Sequence, residues 1–468
     1  MRTKRFALEQ KNHVLAISAT TSNQKINIIP SKGSVIDFTL AAPSIYHYIN
    51  MDHNAVLISD SDFIVSKPIP TKGKPEKKRL ILTVFMDALS QCYLSDTNLE
   101  CMPNTKAFFE KGTIFRNCYA TGEWTHPSVA ALCTGLYTTH HHIIYRSSAY
   151  RYPTQTKTAA EIFNENGYFT VNISGSVGTS PYIGGLRGFD SAIHKSALGF
   201  PDSHLITDAL DYMAAFPDTN KYMFLGLCDV HRSMEDTTET ALSMGMPQQT
   251  LLGFQNSLAK TNHDEKSVWL RYAEFHTFKY RAALRNFDRQ MKPIYDYITE
   301  NYAEGEFLVC LFSDHGTPAL NQEEYLLKQM QTNSVMMLRG GGVPAQISEE
   351  YINHIDYLPA LAELAGVSFD FSAYDCVLPR VFGGPGRDFV YTESIYHGQS
   401  YKADVRNAEY ECRFETNGLT DNDGLIDLSE GFTQKILSMK TGEEIHDPEL
   451  AEEFEAIVFD HIKENIRY

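Results

Sequence analysis

The 468-residue sequence lacks the features of a disulfide scaffold, a membrane protein or a nucleic-acid-binding protein. Its eight cysteines are scattered, and Cys228 and Cys310 lie inside apolar runs, which is typical of buried thiols in a reducing compartment. No run approaches the roughly twenty apolar residues of a membrane span. Residues 7–12 interrupt the apolar core that a signal peptide would need after the basic start. Positive charge is scarce, and the formal net charge of −17 argues against a nucleic-acid partner. We therefore expect a cytoplasmic protein with no membrane span.

The pattern of the chain predicts an α/β protein with smaller appendages. Its length exceeds one average domain, while 43% hydrophobic and 21% charged residues are ordinary for a globular protein. Residues 1–70 contain short β-rich runs separated by turn signals and predict a small β-rich domain. Carbohydrate binding, partner binding, packing and homo-oligomerisation are the alternatives for its role. Residues 71–79 form a basic, polar linker, and strands then alternate with helices through residues 80–388.

Three apolar, β-rich runs are each followed by residues that bind metals or transfer protons. Residues 80–86 precede Asp87, and residues 307–312 precede Asp314 and His315. In open α/β sheets ligands bind at the carboxyl ends of strands, and carboxylate and imidazole groups are metal ligands. These two strand ends therefore predict a metal site. A third run, residues 222–228, is followed by Asp229 and His231.

A hydroxyl residue, Thr125, stands two positions before Pro127 at the start of a predicted helix over residues 125–135. The free N–H groups and the positive end of a helix dipole stabilise an anion such as phosphate or sulfate. Thr125 is therefore a candidate nucleophile or metal ligand that faces a bound oxyanion. The alternative is that Thr125 only caps the helix, because Thr is a good N-cap residue.

These segments, in this order, resemble the alkaline phosphatase superfamily and, within it, the sulfatase-like branch. The resemblance covers roughly residues 78–415 and rests on Asp87 after its strand, the Met-Pro-Asn of residues 102–104, residues 125–137, the Ser-Asp-His-Gly of residues 313–316, and residues 339–344 and 354–366. It implies a large mixed, mostly parallel sheet sandwiched by helices. It also implies a small antiparallel C-terminal sheet with a terminal helix over residues 389–468.

The resemblance implies further site residues. His231 would assist the leaving group, the alternative being an ordinary histidine on a loop. Lys328 would contact the ester oxygen, the alternative being a solvated surface lysine. Asp229 and His397 are candidates for a second metal site, although the Asp229-Val-His231 spacing differs from that of two-metal phosphodiesterases. His126 and Ser128, beside Thr125, are assigned to substrate binding. Residues 233–263 would form a loop that covers the site, and a long helix would follow over residues 266–301.

Departures from the sulfatase pattern shape the functional hypothesis. Sulfatases carry a Cys or Ser that becomes formylglycine, usually followed by Pro-Ser-Arg, whereas this chain has Thr125 and places Val129 where that Arg stands. Threonine nucleophiles occur in the phosphodiesterases and phosphoryl-group transferases of the superfamily. We therefore expect a metal-dependent enzyme of that kind, with a covalent phosphothreonine and a small-molecule or glycan phosphoester substrate, acting in surface polysaccharide assembly. The alternatives are a sulfatase or phosphonate monoester hydrolase, or a catalytically inactive binding protein.

The identity of the metal follows from the same comparison. Ala88 occupies a position where many sulfatases have a second Asp, so the predicted ligand set holds fewer carboxylates. Fewer carboxylates favour Zn²⁺ or Mn²⁺ over Ca²⁺. We therefore expect Asp87, Thr125, Asp314 and His315 to bind Zn²⁺ or Mn²⁺, with Mg²⁺ or Ca²⁺ as alternatives.

Overall fold

A computed structural model of the chain describes residues 1–144, 151–175, 184–195, 201–232, 274–320, 322, 323 and 325–467. Strands and helices alternate through the middle of the chain, with separate sheets before and after them. The predicted α/β class, with its β-rich N-terminal sheet and antiparallel C-terminal sheet, is confirmed.

The N-terminal sheet has seven antiparallel strands and its own hydrophobic core. Alternating side chains of β3 are buried and exposed, which is the pattern of a sheet with one face on a core. The strands are β1 (Arg2–Leu8), β2 (His13–Ala19), β3 (Gln24–Pro30), β4 (Ile36–Leu40), β5 (Tyr46–Met51), β6 (Ala55–Val65) and β7 (Ile69–Pro70). The predicted linker then lies against the central part of the molecule, where Lys78 Nζ donates to the carbonyl oxygens of Gly305 and Gly341.

The central sheet has eight strands, and most of their side chains are buried on both faces, as in sheets covered by helices. They are β8 (Leu80–Met86), β9 (Thr113–Tyr119), β10 (Phe169–Ser174), β11 (Ser191–His194), β12 (Lys221–Leu227), β13 (Phe307–Phe312), β14 (Met336–Gly340) and β15 (Gln346–Asn353). The spatial order is β11-β10-β12-β8-β13-β14-β9-β15. All pairings are parallel except those of β14 with β13 and β9. The carboxyl ends of β8, β12, β13 and β9 therefore share one edge of the sheet.

Helices cover both faces of this sheet and enclose two large hydrophobic cores. They are α1 (Gln91–Asp96), α2 (Pro103–Phe109), α3 (Thr125–Thr134), α4 (Thr138–His141), α5 (Ala159–Glu165), α6 (Asp202–Ala215), α7 (Asp229–Arg232), α8 (Glu274–Asn301), α9 (Gln329–Thr332) and α10 (Tyr357–Leu364). The predicted loop over residues 233–263 and the start of the predicted long helix, residues 266–273, lie outside the described residues. The described part of that helix, α8, contains Pro293.

The C-terminal part carries a second, four-stranded antiparallel sheet and a terminal helix. Its elements are β16 (Val390–Ser394), β17 (Ser400–Arg406), β18 (Tyr410–Leu419), β19 (Ile426–Asp427), β20 (Phe432–Ser438), α11 (Pro448–Ile462) and β21 (Ile466–Arg467), of which β19 and β21 form a separate pair. β16 also holds the loop after β9, because the Glu393 N–H donates to the Thr121 carbonyl. Among the described helices, none has both the length and the apolar character that crossing a bilayer requires.

Candidate metal and nucleophile site

Asp87 is placed by the central strand β8, which lies between β12 and β13. The strand is buried along its whole length, and the Asp87 side chain is only 8% exposed. The backbone turns sharply after it, with Ala88 at φ +62°. Few residues with a β-carbon adopt this left-handed conformation. It directs the Ala88 N–H toward Asp314, whose Oδ1 lies 3.2 Å away.

The neighbouring strand β13 delivers Asp314 and His315, and both side chains are buried. His315 Nδ1 lies 2.7 Å from the Gly316 carbonyl oxygen, which can only accept a hydrogen bond. Nδ1 is therefore the donor in this hydrogen bond, which leaves Nε2 as the nitrogen that can bind a metal. Nε2 lies 3.3 Å from Asp314 Oδ2 and 3.8 Å from Asp87 Oδ1.

Thr125 is the first residue of α3, and the N-cap position belongs to Trp124. Because Trp124 holds the N-cap position, and no side chain of the described residues makes a capping hydrogen bond to this helix, the interpretation of Thr125 as a simple capping residue is wrong. The hydroxyl points instead to the two strand ends. Its Oγ1 lies 3.2 Å from His315 Nε2 and 3.5 Å from each carboxylate oxygen of Asp87. The helix therefore places the Thr125 hydroxyl beside the Asp87 carboxylate and the His315 imidazole.

The donor atoms fit a divalent cation. One ligand atom each from Asp87, Asp314 and His315 lies within 4.8 Å of the others, and within the described parts of the chain this is the one such group of three. Asp314 Oδ2 is buried and has no hydrogen-bond partner among the residues that the structure describes. Two buried carboxylates and the imidazole Nε2 of His315 face one another here. Such an arrangement is costly unless a positive charge compensates for it.

Asp229 and His231 lie on the short helix α7, directly after β12. Asp229 exchanges hydrogen bonds with Asp202: each backbone N–H donates to the other's carboxylate, at 2.8 and 3.2 Å. His231 is half-buried. The ring of His397 stacks on Tyr396 at 4.7 Å. In the described structure neither Asp229 nor His397 joins the three-ligand group, so the second metal site and the role of His231 stay predictions.

The remaining predicted residues, Lys328, His126 and Ser128, contact other residues of the protein. Lys328 precedes α9, and its Nζ pairs with Glu323, so its contact with a leaving group stays a prediction. His126 is buried and stacks on Trp124 with the ring centroids 5.8 Å apart. Ser128 is fully buried and donates a 3.0 Å hydrogen bond to the Gly122 carbonyl. This bond occupies the Ser128 hydroxyl inside the loop before α3.

A buried histidine supports this site and was not among the predicted site residues. His354 Nε2 accepts the Thr121 N–H at 3.2 Å and lies 2.9 Å from the Thr121 hydroxyl. Burial lowers the pKa of His354 to about 3, so the ring is neutral near pH 7. His354 thus links the turn before α10 to the loop that precedes α3. The sequence signal was weak, because a histidine before a helix has many roles.

Comparisons with known proteins agree with this geometry. The profile of the sulfatase family matches residues 79–367, which is more than half of the chain. Similar solved structures include a protein described as a 2-O GAG sulfatase, which is 16% identical in sequence and has a TM-score of 0.62. The match covers 83% of this chain and 93% of that chain. A putative sulfatase from Bacteroides thetaiotaomicron VPI-5482 has 19% identity, the same coverages and a TM-score of 0.61.

A phosphonate monoester hydrolase from Silicibacter pomeroyi has 13% identity, coverage of 83% of this chain and 96% of that chain, and a TM-score of 0.60. At these identities the structural likeness establishes the fold. A search of curated proteins gave no match. The family match, which spans more than half of the chain, shows that the chain belongs to the sulfatase family.

Proposed function

We propose that the protein is a metal-dependent phosphodiesterase or phosphoryl-group transferase that works through a covalent phosphothreonine at Thr125. One observation carries the proposal: Thr125 Oγ1 lies at the start of α3, 3.2 Å from His315 Nε2 and 3.5 Å from the Asp87 carboxylate. A hydroxyl that only stabilised the helix would have no need of these partners. Asp87, Asp314 and His315 would hold the cation, with Zn²⁺ or Mn²⁺ favoured.

A bound divalent cation would lower the pKa of the Thr125 hydroxyl and offset negative charge on the phosphoryl oxygens. Thr125 loses its proton to water and forms the Oγ–P bond while the P–O bond to the leaving alcohol breaks. His231 donates a proton to the departing oxygen. Water or an acceptor hydroxyl then loses a proton to solvent and forms a new P–O bond, while the Thr125 Oγ–P bond breaks and Thr125 Oγ regains a proton from solvent. The backbone N–H groups at the start of α3 stabilise the phosphoryl oxygens in both steps.

Two residues favour phosphoryl transfer over sulfatase chemistry. Thr125 carries a methyl group on its β-carbon, so oxidation gives a ketone and not the aldehyde of formylglycine. Val129 lies on the same helix, is buried and carries no charge that could hold a converted residue. Phosphonate monoester hydrolysis remains the second candidate, since proteins described as phosphonate monoester hydrolases are among the structural neighbours.

The test compares wild type with Thr125→Ala, Thr125→Ser and the control Thr134→Ala. Thr134 is buried at the far end of the same helix and donates to the Ala130 carbonyl. We expect Thr125→Ala to lose at least about a thousandfold in kcat, because the nucleophile is gone. Thr125→Ser should retain part of the activity, and Thr134→Ala should change only stability. Phosphodiester turnover by Thr125→Ala near the wild-type rate would refute the nucleophile assignment.

A substrate panel separates the candidate reactions. Manganese-loaded and zinc-loaded protein would be offered bis-nitrophenyl phosphate, a nitrophenyl phosphonate monoester, nitrophenyl phosphate and nitrophenyl sulfate. A preference for the diester supports the proposal, and a preference for the phosphonate supports the second candidate. Intact-mass measurement after rapid quenching should show the phosphoryl adduct on wild type and not on Thr125→Ala. Added glycerol or glucose should divert the product to a new ester if the enzyme is a transferase.

A further inference from the structure

The turn that carries Asp87 has a strained residue in it. Ala88 has φ +62°, a region that disfavours residues with a β-carbon. This conformation lets the Ala88 N–H reach Asp314 Oδ1 at 3.2 Å. One turn therefore connects two of the candidate metal ligands. Strained turns persist only when surrounding groups hold them.

The group that holds this turn comes from the long helix α8. Tyr280 is fully buried, and its hydroxyl accepts the Ser90 N–H at 2.8 Å and donates to the Ala88 carbonyl at 3.0 Å. Both bonds go to backbone on the two sides of Leu89. Its ring packs edge-on against Tyr93 with centroids 5.2 Å apart, which fixes the direction of the hydroxyl. Tyr280 thus contacts the Ala88 turn through backbone groups other than the Ala88 N–H, which donates to Asp314.

We propose that Tyr280 is a positioning residue that, through the Ala88 turn, sets the distance between the Asp87 and Asp314 carboxylates and so the affinity of the cation site. The inference rests on the proposed function, because it needs those carboxylates to bind a cation. Without the hydroxyl, the Ser90 N–H and the Ala88 carbonyl both lose a partner in a buried setting. The turn is then free to relax toward negative φ, which withdraws the Ala88 N–H from Asp314. Groups that orient metal ligands in this way typically contribute about 10–100-fold to metal affinity.

The experiment compares Tyr280→Phe with wild type and with Tyr295→Phe. Tyr295 lies on the same helix, is buried, and has its hydroxyl 3.2 Å from the Thr105 hydroxyl, away from the strand ends. Both substitutions remove one buried hydroxyl and keep the ring. Mn²⁺ affinity would be measured by isothermal titration calorimetry on chelator-treated protein, and unfolding midpoints would be measured without the ion. Kinetics with bis-nitrophenyl phosphate would be followed across a range of Mn²⁺ concentrations.

We expect Tyr280→Phe to bind Mn²⁺ about tenfold or more weakly than wild type and to recover most of its kcat at high Mn²⁺, with little change in KM. Tyr295→Phe should bind Mn²⁺ like wild type. If both variants lose similar stability and both keep wild-type Mn²⁺ affinity, Tyr280 is only a packing residue and the inference is overturned. If wild type itself binds no divalent ion, the proposed function fails and the inference fails with it. If wild type binds Mn²⁺ and turns over substrate, and Tyr280→Phe binds Mn²⁺ with the same affinity, the inference is refuted and the proposed function stands.

Discussion

A buried lysine gives a sharp prediction about stability. Lys221 opens β12 at the edge of the central sheet opposite to the site, and it is 1% exposed. Its Nζ donates to the Thr219 carbonyl at 3.1 Å and lies 3.4 Å from the Tyr302 hydroxyl. Burial, assisted by the nearby charge of Arg79, lowers the pKa of Lys221 from 10.5 to about 7. The folded protein therefore holds this proton less tightly than the unfolded chain does.

The sign of the effect follows from linkage. Stability rises with pH wherever the unfolded state binds more protons, which for Lys221 is the range from about pH 7 to about pH 10. The full shift corresponds to about 5 kcal/mol. Between pH 7 and pH 9, where the folded lysine is at first half-protonated, the expected gain is about 2 kcal/mol. Substitution by Met removes the titrating group and with it this part of the pH dependence.

The assay is urea-induced unfolding of wild type and Lys221→Met at pH 7 and pH 9. The free energy of unfolding of wild type minus that of the variant should be about 2 kcal/mol more positive at pH 9 than at pH 7. Lys435→Met, at a half-exposed position on the C-terminal sheet, controls for the loss of a lysine charge. If the difference in the free energy of unfolding between wild type and Lys221→Met is equal at the two pH values, burial does not lower the pKa of Lys221 and the reasoning is wrong.

Two further predictions concern the site. Chelation should lower the unfolding midpoint of wild type, and added Zn²⁺ or Mn²⁺ should restore it. An ion present at a thousand times its Kd adds about 4 kcal/mol to the free energy of unfolding. Scanning calorimetry measures the midpoint, and the midpoint of Asp314→Asn should change much less. His231→Ala should slow esters with alkyl leaving groups by about a hundredfold or more and nitrophenyl esters much less, because a good leaving group needs no proton. Equal losses for both kinds of ester, measured as kcat, would remove His231 from the mechanism.

The strand ends were the most predictable part of the molecule. Long apolar runs before Asp87 and Asp314 predict buried parallel strands, and the topology of such sheets brings their carboxyl ends to one edge. The sequence could not show that Thr125 starts α3 with Trp124 as its cap. Local propensity favours a capping Thr, whereas contacts from β8 and β13 set the direction of this hydroxyl.

The supporting residues Tyr280 and His354 could not be predicted from the sequence, for a different reason. Tyr280 and His354 belong to helical segments far from Asp87 and Thr125 in the chain, and only tertiary packing brings them together. The positive φ of Ala88 could not be predicted from the sequence either, since turn rules assign that conformation to Gly, Asn or Asp. Such violations of local rules are expected where a site requires a particular backbone shape.

The reversed direction of β14 has a consequence for how this protein can diversify. Because β14 runs opposite to β13, the segment between them leaves and re-enters the sheet at the same edge, where Asp314 and His315 lie. Insertions or deletions in residues 317–332 would change the surface around Thr125, and no crossover connection between parallel strands would have to change with them. New substrate preferences could therefore arise from this segment while the sheet and the ligand group stay as they are.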